Sequence, residues 1–443
     1  MPNVATPIEV RQIGLALESV RGTAPVAPSS FISLTRDSEL AYVSKLIPDP
    51  ALRGVNARYP SLAGMLSGAG TLKTPARAQN IGEFLKMLFG APVSTEQTYI
   101  TISTGVNDAL DFVDDVTTVE GVIAAGSYPM GADSSVAGSF CKAIKTAMDA
   151  VATGGATYTV TFAAGVLTIT RSTGTFEFLF ATGTHKATSP YAKMGFAAVD
   201  TTAAISQTST VTLYAPFKHA FTQSQIIQLP SYSFYIDRGP FNGGAKDIKV
   251  YNLGSMSKLK IASAHDAPVD LEASIFAQQE ASYAGAWSPT FSESPVLMFD
   301  NVTVKMAGAA PSVPNVASFD CEFNPGMKEY RPLSLQKYAY DMLAAGPFDA
   351  MGNMLVFFMD ELERAKFLAV TQTSLDFDIK GGAIGVSEQN YALNISLPSV
   401  EYEAYPFKES DGFLAASAKW HARYSSSAGY LAYVELINSK SSY

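Results

Sequence analysis

The chain has 443 residues, enough for two or three domains, and its 47% hydrophobic residues are typical of a globular protein, whereas its 16% charged residues fall below the usual share of about a quarter. The net charge of −9 argues against a surface that binds nucleic-acid phosphates, because such binding requires clustered Lys and Arg side chains. The low content of charged residues also indicates that other protein, most simply further copies of this chain, covers much of the surface.

No apolar segment approaches the roughly 20 residues that span a bilayer, so the sequence predicts no membrane insertion. Residues 1–4 lack the basic and apolar regions of a secretory signal. The two cysteines, Cys141 and Cys321, lie far apart in the sequence and are predicted to be buried thiols in a reducing cytoplasm.

The first 70 residues contain weak patterns. Apolar positions within residues 8–18 precede a turn at 21–25 and a short strand at 31–34. Residues 35–70 are rich in Pro, Gly, Ser and charge, which predicts a long loop. Two interpretations stay open for this segment: an arm that reaches a neighbouring subunit, and a flexible surface loop.

A helix ending at Gly90 is the clearest element of the first third. Asn80 is predicted as its N-cap, with Glu83 three residues later. Gly90 is predicted to stop it in the left-handed conformation. Its apolar residues form one stripe, which predicts that the helix covers a sheet: Ile81, Phe84, Leu85, Leu88 and Phe89.

Residues 94–214 differ from the preceding segment in composition, because they are rich in Thr, Ala and Gly. Their pattern predicts a turn at 126–128, a helix whose apolar positions run from Val136 to Val151, and five strands. The predicted strands are 110–113, 119–122, 157–162, 166–170 and 176–180. A helix on a small antiparallel sheet suffices for a domain of about a hundred residues, so we interpret this segment as an insertion.

After residue 214 the chain again favours strands. Those predicted are 231–236, 246–250, 256–262, 269–276, 302–306, 317–323, 399–405 and 430–437. The strand at 269–276 alternates without exception, so one face is expected in the core and the other against solvent, a lumen or a partner.

Residues 353–397 predict a strand, a helix, a strand, a turn and a strand. The apolar run 354–359 favours a strand buried on both faces. Asp360 and Glu363 have the spacing of a reciprocal capping box for a helix over about 361–369. Residues 374–380 and 391–397 alternate as half-buried strands.

These elements predict a mainly β (α+β) fold. The body, residues 1–95 and 215–443, is expected to be a discontinuous antiparallel β-sandwich or barrel with one or two flanking helices. The inserted small α+β domain is expected to comprise residues 96–214.

The sequence predicts no catalytic, cofactor-binding or metal site. No His or Cys has a second ligand at metal-binding spacing, and no nucleophile elbow, Walker loop or dinucleotide fingerprint has its required context. The carboxylate pairs Asp270 with Glu272 and Asp376 with Asp378 each lie on one strand face, about 7 Å apart. That spacing is near that of glycosidase pairs, but a solvated strand face is the commoner explanation.

In the order of its segments, the chain resembles the tail tube (major tail) proteins of long-tailed phages. The segments that carry this resemblance are 14–18, 21–25, 67–72, 89–90, 218–222, 228–231, 255–260, 269–275, 354–380 and 397–398. The resemblance covers the split body, about three quarters of the chain. The insertion resembles a module of various phage structural proteins and departs from the minimal pattern, so a plain outer tube wall is in doubt.

The resemblance implies a virion structural protein, made in the host bacterial cytoplasm, that is not an enzyme. Subunits would form stacked rings, six to a ring, with the insertion on the outside of the tube. Its partners would be further copies, a tape-measure protein, terminator and baseplate proteins, and DNA in transit without sequence-specific binding. Asp270 with Glu272, or Asp376 with Asp378, would line the lumen.

Two alternatives stay open. The chain would otherwise be another virion component, such as a tail terminator, baseplate or capsid-associated β-sandwich protein. The inserted domain would, in a third interpretation, bind glycans or the host surface.

Overall fold

The computed structural model describes residues 12–48, 61–223, 227–241, 245–291, 294–309, 315–333, 336–385, 387 and 389–443. Within these residues the chain is mainly β, with large antiparallel sheets, three α-helices and no closed barrel. This confirms the predicted mainly β class with few helices.

The elements of the first body segment are β1 (Gln12–Leu17), β2 (Ser30–Ile32), β3 (Glu39–Ile47), β4 (Leu62–Pro75), α1 (Ala78–Phe89) and β5 (Val93–Glu96). The middle segment contains β6 (Ile100–Ile102), β7 (Ala109–Asp114), β8 (Thr117–Val122), β9 (Gly126–Tyr128), α2 (Phe140–Asp149), β10 (Tyr158–Ala163), β11 (Val166–Arg171), β12 (Phe176–Phe178) and β13 (Ser206–Thr208).

The second body segment begins with β14 (Phe217–Thr222), β15 (Tyr232–Phe241), β16 (Ala245–Ala264), β17 (Asp270–Ala277), β18 (Gln279–Ser282), β19 (Val302–Met306), β20 (Val316–Asn324), β21 (Met327–Tyr330) and β22 (Asp341–Ala344). It ends with β23 (Asp349–Phe357), α3 (Leu362–Leu368), β24 (Thr373–Ala383), β25 (Asn390–Ala404), β26 (Phe407–Ser410), β27 (Phe413–Ala422) and β28 (Tyr433–Asn438). Short 3₁₀ helices lie at Lys186–Thr188 and Phe299–Asn301.

Three connected sheets form the body. Sheet I has the strand order β3-β4-β17-β16-β20-β23-β27, sheet II the order β5-β14-β28-β25-β24-β19, and sheet III the order β2-β1-β15-β16-β18. The long strand β16 continues from sheet III into sheet I, and β25 joins sheet II to β27 of sheet I. The two long strands therefore hold the sheets together.

Sheets I and II pack against each other through one hydrophobic core. The ring of Phe319 in β20 stacks on that of Phe377 in β24, with centroids 4.2 Å apart, and Trp420 of β27 lies 6.1 Å from Phe377. Each strand alternates buried and more exposed side chains. The outer faces of the two sheets therefore point in opposite directions.

Helix α1 covers the core, as predicted, and its predicted apolar stripe is buried. The N-cap prediction was wrong: Arg77 occupies that position, and the helix begins two residues before Asn80. Glu83 accepts hydrogen bonds from the Tyr232 hydroxyl (2.8 Å) and from Lys440 Nζ (3.2 Å), so tertiary contacts outweigh local capping. Gly90 ends the helix with φ +92°, a conformation that favours glycine, although its ψ is not that of the left-handed helix.

Residues 99–217 contain a second hydrophobic core. It is built around Phe112, Phe140, Tyr158 and Phe178, and the three small sheets β10-β11-β13, β12-β7-β8 and β6-β9 surround it. The five predicted strands are present, but residues 126–128 form β9 and not a turn. Helix α2 starts at Phe140 because Ser139 caps it, which leaves Val136 outside the helix.

The prediction of a loop at 35–70 was wrong for the described residues. β3 and β4 pair antiparallel as a long hairpin, from Glu39 opposite Thr71 to Ile47 opposite Leu62. Residues 49–60 lie outside the described residues. Glycines and the exposed side chains of residues 43–47 hid the strand pattern, because a hairpin end exposed on both faces needs no strict alternation.

Two details of residues 353–369 also differ from prediction. β23 alternates between buried and exposed positions, so it is buried on one face only. Helix α3 is one residue shorter at each end; Asp360 accepts from the Leu362 N–H (2.9 Å), whereas Glu363 binds Lys366 and the Tyr402 hydroxyl instead of closing a capping box.

Candidate lumen and assembly surfaces

Asp270 and Glu272 lie on the outer face of sheet I. Both are on β17, and Leu271 between them is buried in the core. Lys73 of the neighbouring strand β4 places its Nζ 3.6 Å from Glu272 Oε2. Partial burial raises the pKa of Asp270, and the positive charge of Lys73 opposes that shift.

The same outer face carries further cross-strand ion pairs. Lys258 of β16 lies 2.9 Å from Glu322 of β20, and Lys260 lies 3.5 Å from Asp320. Lysines and carboxylates thus alternate from strand to strand over sheet I. Among the described residues of this face, Lys73, Lys258 and Lys260 are all paired, so they form no unpaired cluster that would hold a polyanion.

Asp376 and Asp378 lie on the outer face of sheet II. Lys305 of β19 places its Nζ 2.5 Å from Asp378 Oδ2, and the Ser396 hydroxyl donates a hydrogen bond to Asp376. The hydrogen bond with Asp378 and its negative charge raise the pKa of Lys305. The two predicted carboxylate pairs are thus on different sheets, and the structure does not bring them together.

The part of the β3–β4 hairpin that lies beyond β17 exposes apolar side chains. β4 pairs with β17 only from Pro75 to Gly68, so residues 43–47 and 62–67 extend beyond that strand. The exposed fractions are 52% for Val43, 62% for Leu46, 48% for Ile47, 60% for Leu62 and 48% for Met65. A patch of this kind marks a surface that binds protein.

The middle segment leaves and rejoins the body at one point. Glu96 of β5 is opposite Phe217 of β14, and the Gln97 N–H donates to the Pro216 carbonyl at 2.9 Å. Glu96 also accepts hydrogen bonds from the N–H groups of Met130 (2.9 Å) and Gly131 (3.2 Å). The body strands thus pair directly across the gap of more than a hundred residues between them.

A buried ion pair lies inside the second core. Arg171 Nε is 2.5 Å from Asp114 Oδ1, and Tyr158 and Thr153 donate to the same carboxylate. Burial raises the pKa of Asp114, but the hydrogen bonds from Tyr158, Thr153 and Arg171 outweigh this cost and hold that pKa below its ordinary value. This cluster has no local sequence signal, because its members are up to 57 residues apart.

Two further observations bear on function. Among the described residues, no group of three or more His, Cys, Asp or Glu side chains has an arrangement that could hold a metal ion. No helix in that part of the chain has both the length and the apolar character to cross a membrane. Cys141 and Cys321 are buried and unpaired, as predicted, and lie in different cores.

A family model described as phage tail tube protein matches residues 9–422. The comparison with curated proteins found no match.

Proposed function

Because the chain belongs to the phage tail tube protein family, we propose that it assembles into stacked hexameric rings that form the hollow tube through which DNA reaches the host. Membership of the family makes the chain a structural protein of the virion. The observation that carries the assembly proposal is the hairpin with five exposed apolar side chains, because water disfavours such a surface on an isolated subunit.

The outer face of sheet I is our candidate for the lumen wall, with Asp270 and Glu272 among the side chains that face DNA. The insertion supports this choice, because it leaves from the edge strand β5 of sheet II, and more than a hundred residues beside a channel would obstruct it. The cross-strand ion pairs on sheet I also fit passage without sequence-specific binding. Asp376 and Asp378 then lie away from the lumen.

Residues 96–214 form, in this proposal, an inserted domain on the outside of the tube. Their separate core and the direct pairing of β5 with β14 support a domain that the body does not require for folding. The proposed partners are further copies of the chain, a tape-measure protein inside the tube, and terminator and baseplate proteins at its ends. Synthesis in the host cytoplasm and a role without catalysis complete the proposal.

Electron microscopy of the purified full-length protein, together with its mass in solution, tests this function. We expect hollow tubes with a regular ring repeat, and averaged images with density for residues 96–214 on the outer wall. Single closed rings or monomers at every concentration would contradict the proposal. They would favour a terminator, baseplate or capsid-associated role instead.

A further inference from the structure

A serine, a histidine and an asparagine form a chain of hydrogen bonds at the edge of sheet II. The Ser94 hydroxyl lies 2.7 Å from Nδ1 of His219, on the neighbouring strand β14. Nε2 of the same imidazole lies 3.0 Å from the main-chain carbonyl oxygen of Lys440 and 3.2 Å from Oδ1 of Asn438. His219 and Asn438 are fully buried, whereas Ser94 is exposed. Solvent therefore reaches the serine, while the protein holds the histidine behind it in one orientation.

The partners of Nε2 determine which nitrogen of the imidazole carries the proton. The side-chain nitrogen of Asn438 donates to the Ala78 carbonyl at 2.8 Å. Oδ1 of Asn438 accepts from the Lys440 N–H at 2.9 Å, so this oxygen is the atom that faces the histidine. An amide oxygen and a carbonyl oxygen can only accept, so Nε2 must donate. Nδ1 is then unprotonated, and the Ser94 hydroxyl donates its proton to Nδ1.

The surroundings of the histidine keep it neutral. Burial lowers the pKa of His219 and outweighs the hydrogen bonds of Nε2, which raise it. The positive charge of Lys440 lowers this pKa further, although Glu83 pairs with that lysine at 3.2 Å. The ring of Tyr443 packs edge to face on the imidazole, with centroids 4.8 Å apart. Because its pKa lies below the ordinary 6.5, the histidine can accept a proton at neutral pH.

The position of Ser94 lets a reactant approach it. A hydroxyl bonded to a base, whose other nitrogen is held by a third group, is the arrangement that activates a serine. In the described part of the chain β5 pairs only with β14, so Ser94 lies on the outermost strand of sheet II. Thr95 is exposed too, but side chains alternate along a strand, so its hydroxyl lies on the other face, away from the histidine.

We propose that Ser94 is an activated nucleophile and a site of acylation by activated carboxylic esters, namely thioesters and phenyl esters. The Ser94 oxygen attacks the acyl carbon while its proton passes to Nδ1 of His219. The bond from the acyl carbon to the leaving sulfur or oxygen then breaks, and the leaving group takes the proton from Nδ1. The products are an acyl ester on Ser94 and a free thiol or phenol. This inference does not depend on tube assembly.

Reaction of the purified full-length protein with p-nitrophenyl acetate tests this site. The measurement is the rate of acetylation at Ser94, from mass spectrometry of peptides from acid-quenched samples. The matched control is the double variant Ser94→Ala with Thr95→Ser, which keeps an exposed serine on the same strand but moves its hydroxyl away from the base. A positioned general base contributes about 10²–10⁴-fold, so we expect Ser94 to react at least about a hundredfold faster than the control serine.

The pH dependence of this rate distinguishes an activated hydroxyl from an ordinary one. We expect acetylation of Ser94 to rise as His219 loses its proton, with a midpoint below pH 6.5, and then to reach a plateau. The rate for the control serine should instead rise in proportion to hydroxide. His219→Gln should remove both the plateau and the faster rate. Equal rates at Ser94 and at the control serine, or a Ser94 rate without a plateau, would overturn the inference even if H219Q does not fold.

Discussion

The rings of Phe319 and Phe377 stack, with their centroids 4.2 Å apart and an angle of 19° between their planes. Through this contact the buried faces of sheets I and II pack against each other. The two carboxylate pairs that are alternative candidates for the lumen lie on different outer faces. A single channel can border only one of these faces. The arrangement of subunits decides which pair faces DNA. Replacing the carboxylates of one pair with lysines can therefore identify the lumen face.

Lysine at the sheet I positions should slow DNA release. In particles whose tails carry Asp270→Lys and Glu272→Lys, new cations would bind passing phosphates, and we expect release to slow by about tenfold or more. The matched control is Asp376→Lys with Asp378→Lys, which changes charge equally on the other face. The measurement is the rate of DNA release after triggering, in particles with tails of normal length. Slower release only in the control would place sheet II at the lumen.

A single charge on the hairpin should prevent tube formation without unfolding the subunit. Val43→Glu replaces a side chain that we expect to be buried between rings with a carboxylate. An unpaired buried charge costs about 3–5 kcal/mol of free energy. Val116→Glu makes the same change at an exposed position in the insertion. Sedimentation should show V43E as subunits or rings and V116E as tubes, with equal unfolding temperatures. Tubes of normal length from V43E would show that Val43 of the hairpin does not lie in a contact between subunits.

Deletion of the insertion tests the domain boundary. Gln97 and Pro216 already lie within one hydrogen bond of each other, so a short Gly-Ser turn can replace residues 98–215. We expect the shortened protein to fold and to form tubes of smaller outer diameter with the same ring repeat, measured by electron microscopy. An insoluble product would mean that the body needs the second core, and an unchanged outer diameter would contradict its external position.

The sequence predicted best what depends on local pattern. The alternation of β17, the apolar stripe of α1 and the strands of the insertion follow from side-chain periodicity, and the structure confirms them. The predictions failed for residues whose contacts are with partners distant in sequence. Glu83 was expected to cap its own helix but binds Tyr232 and Lys440, because a buried tertiary contact outweighs a local one.

The candidate surfaces were less predictable than the fold. Periodicity identifies which residues of one strand share a face, but not which strands become neighbours. It placed Asp270 beside Glu272, yet could not separate that pair from Asp378 on the opposite side of the core. The hairpin escaped prediction because residues 43–47 of β3 are all exposed, so burial imposes no alternation there.

The buried carboxylate of Asp114 should stabilise the insertion by a large amount. Asp114→Asn leaves Arg171 as an unpaired charge in a dry core, which costs about 3–5 kcal/mol. Asp115→Asn is the control. The side chain of Asp115 is exposed, and asparagine tolerates the positive φ of 62° at this position. Both tryptophans, Trp287 and Trp420, lie in the body. We therefore expect D114N to lower the unfolding temperature measured by circular dichroism more than the unfolding temperature measured by tryptophan fluorescence.

The same carboxylate predicts acid sensitivity of the insertion. Because the folded pKa of Asp114 lies below its ordinary value of 3.8, its stabilising contribution is complete above about pH 4 and is lost as pH falls through the folded pKa. Asp133 and Asp200 also have lowered pKa values, so some acid dependence remains in D114N. We expect the dichroism transition of the unmodified protein to move to lower temperature as the pH falls below about 4, and to move less in D114N. Equal shifts in both proteins would show that Asp114 is not the group whose protonation loosens the second core.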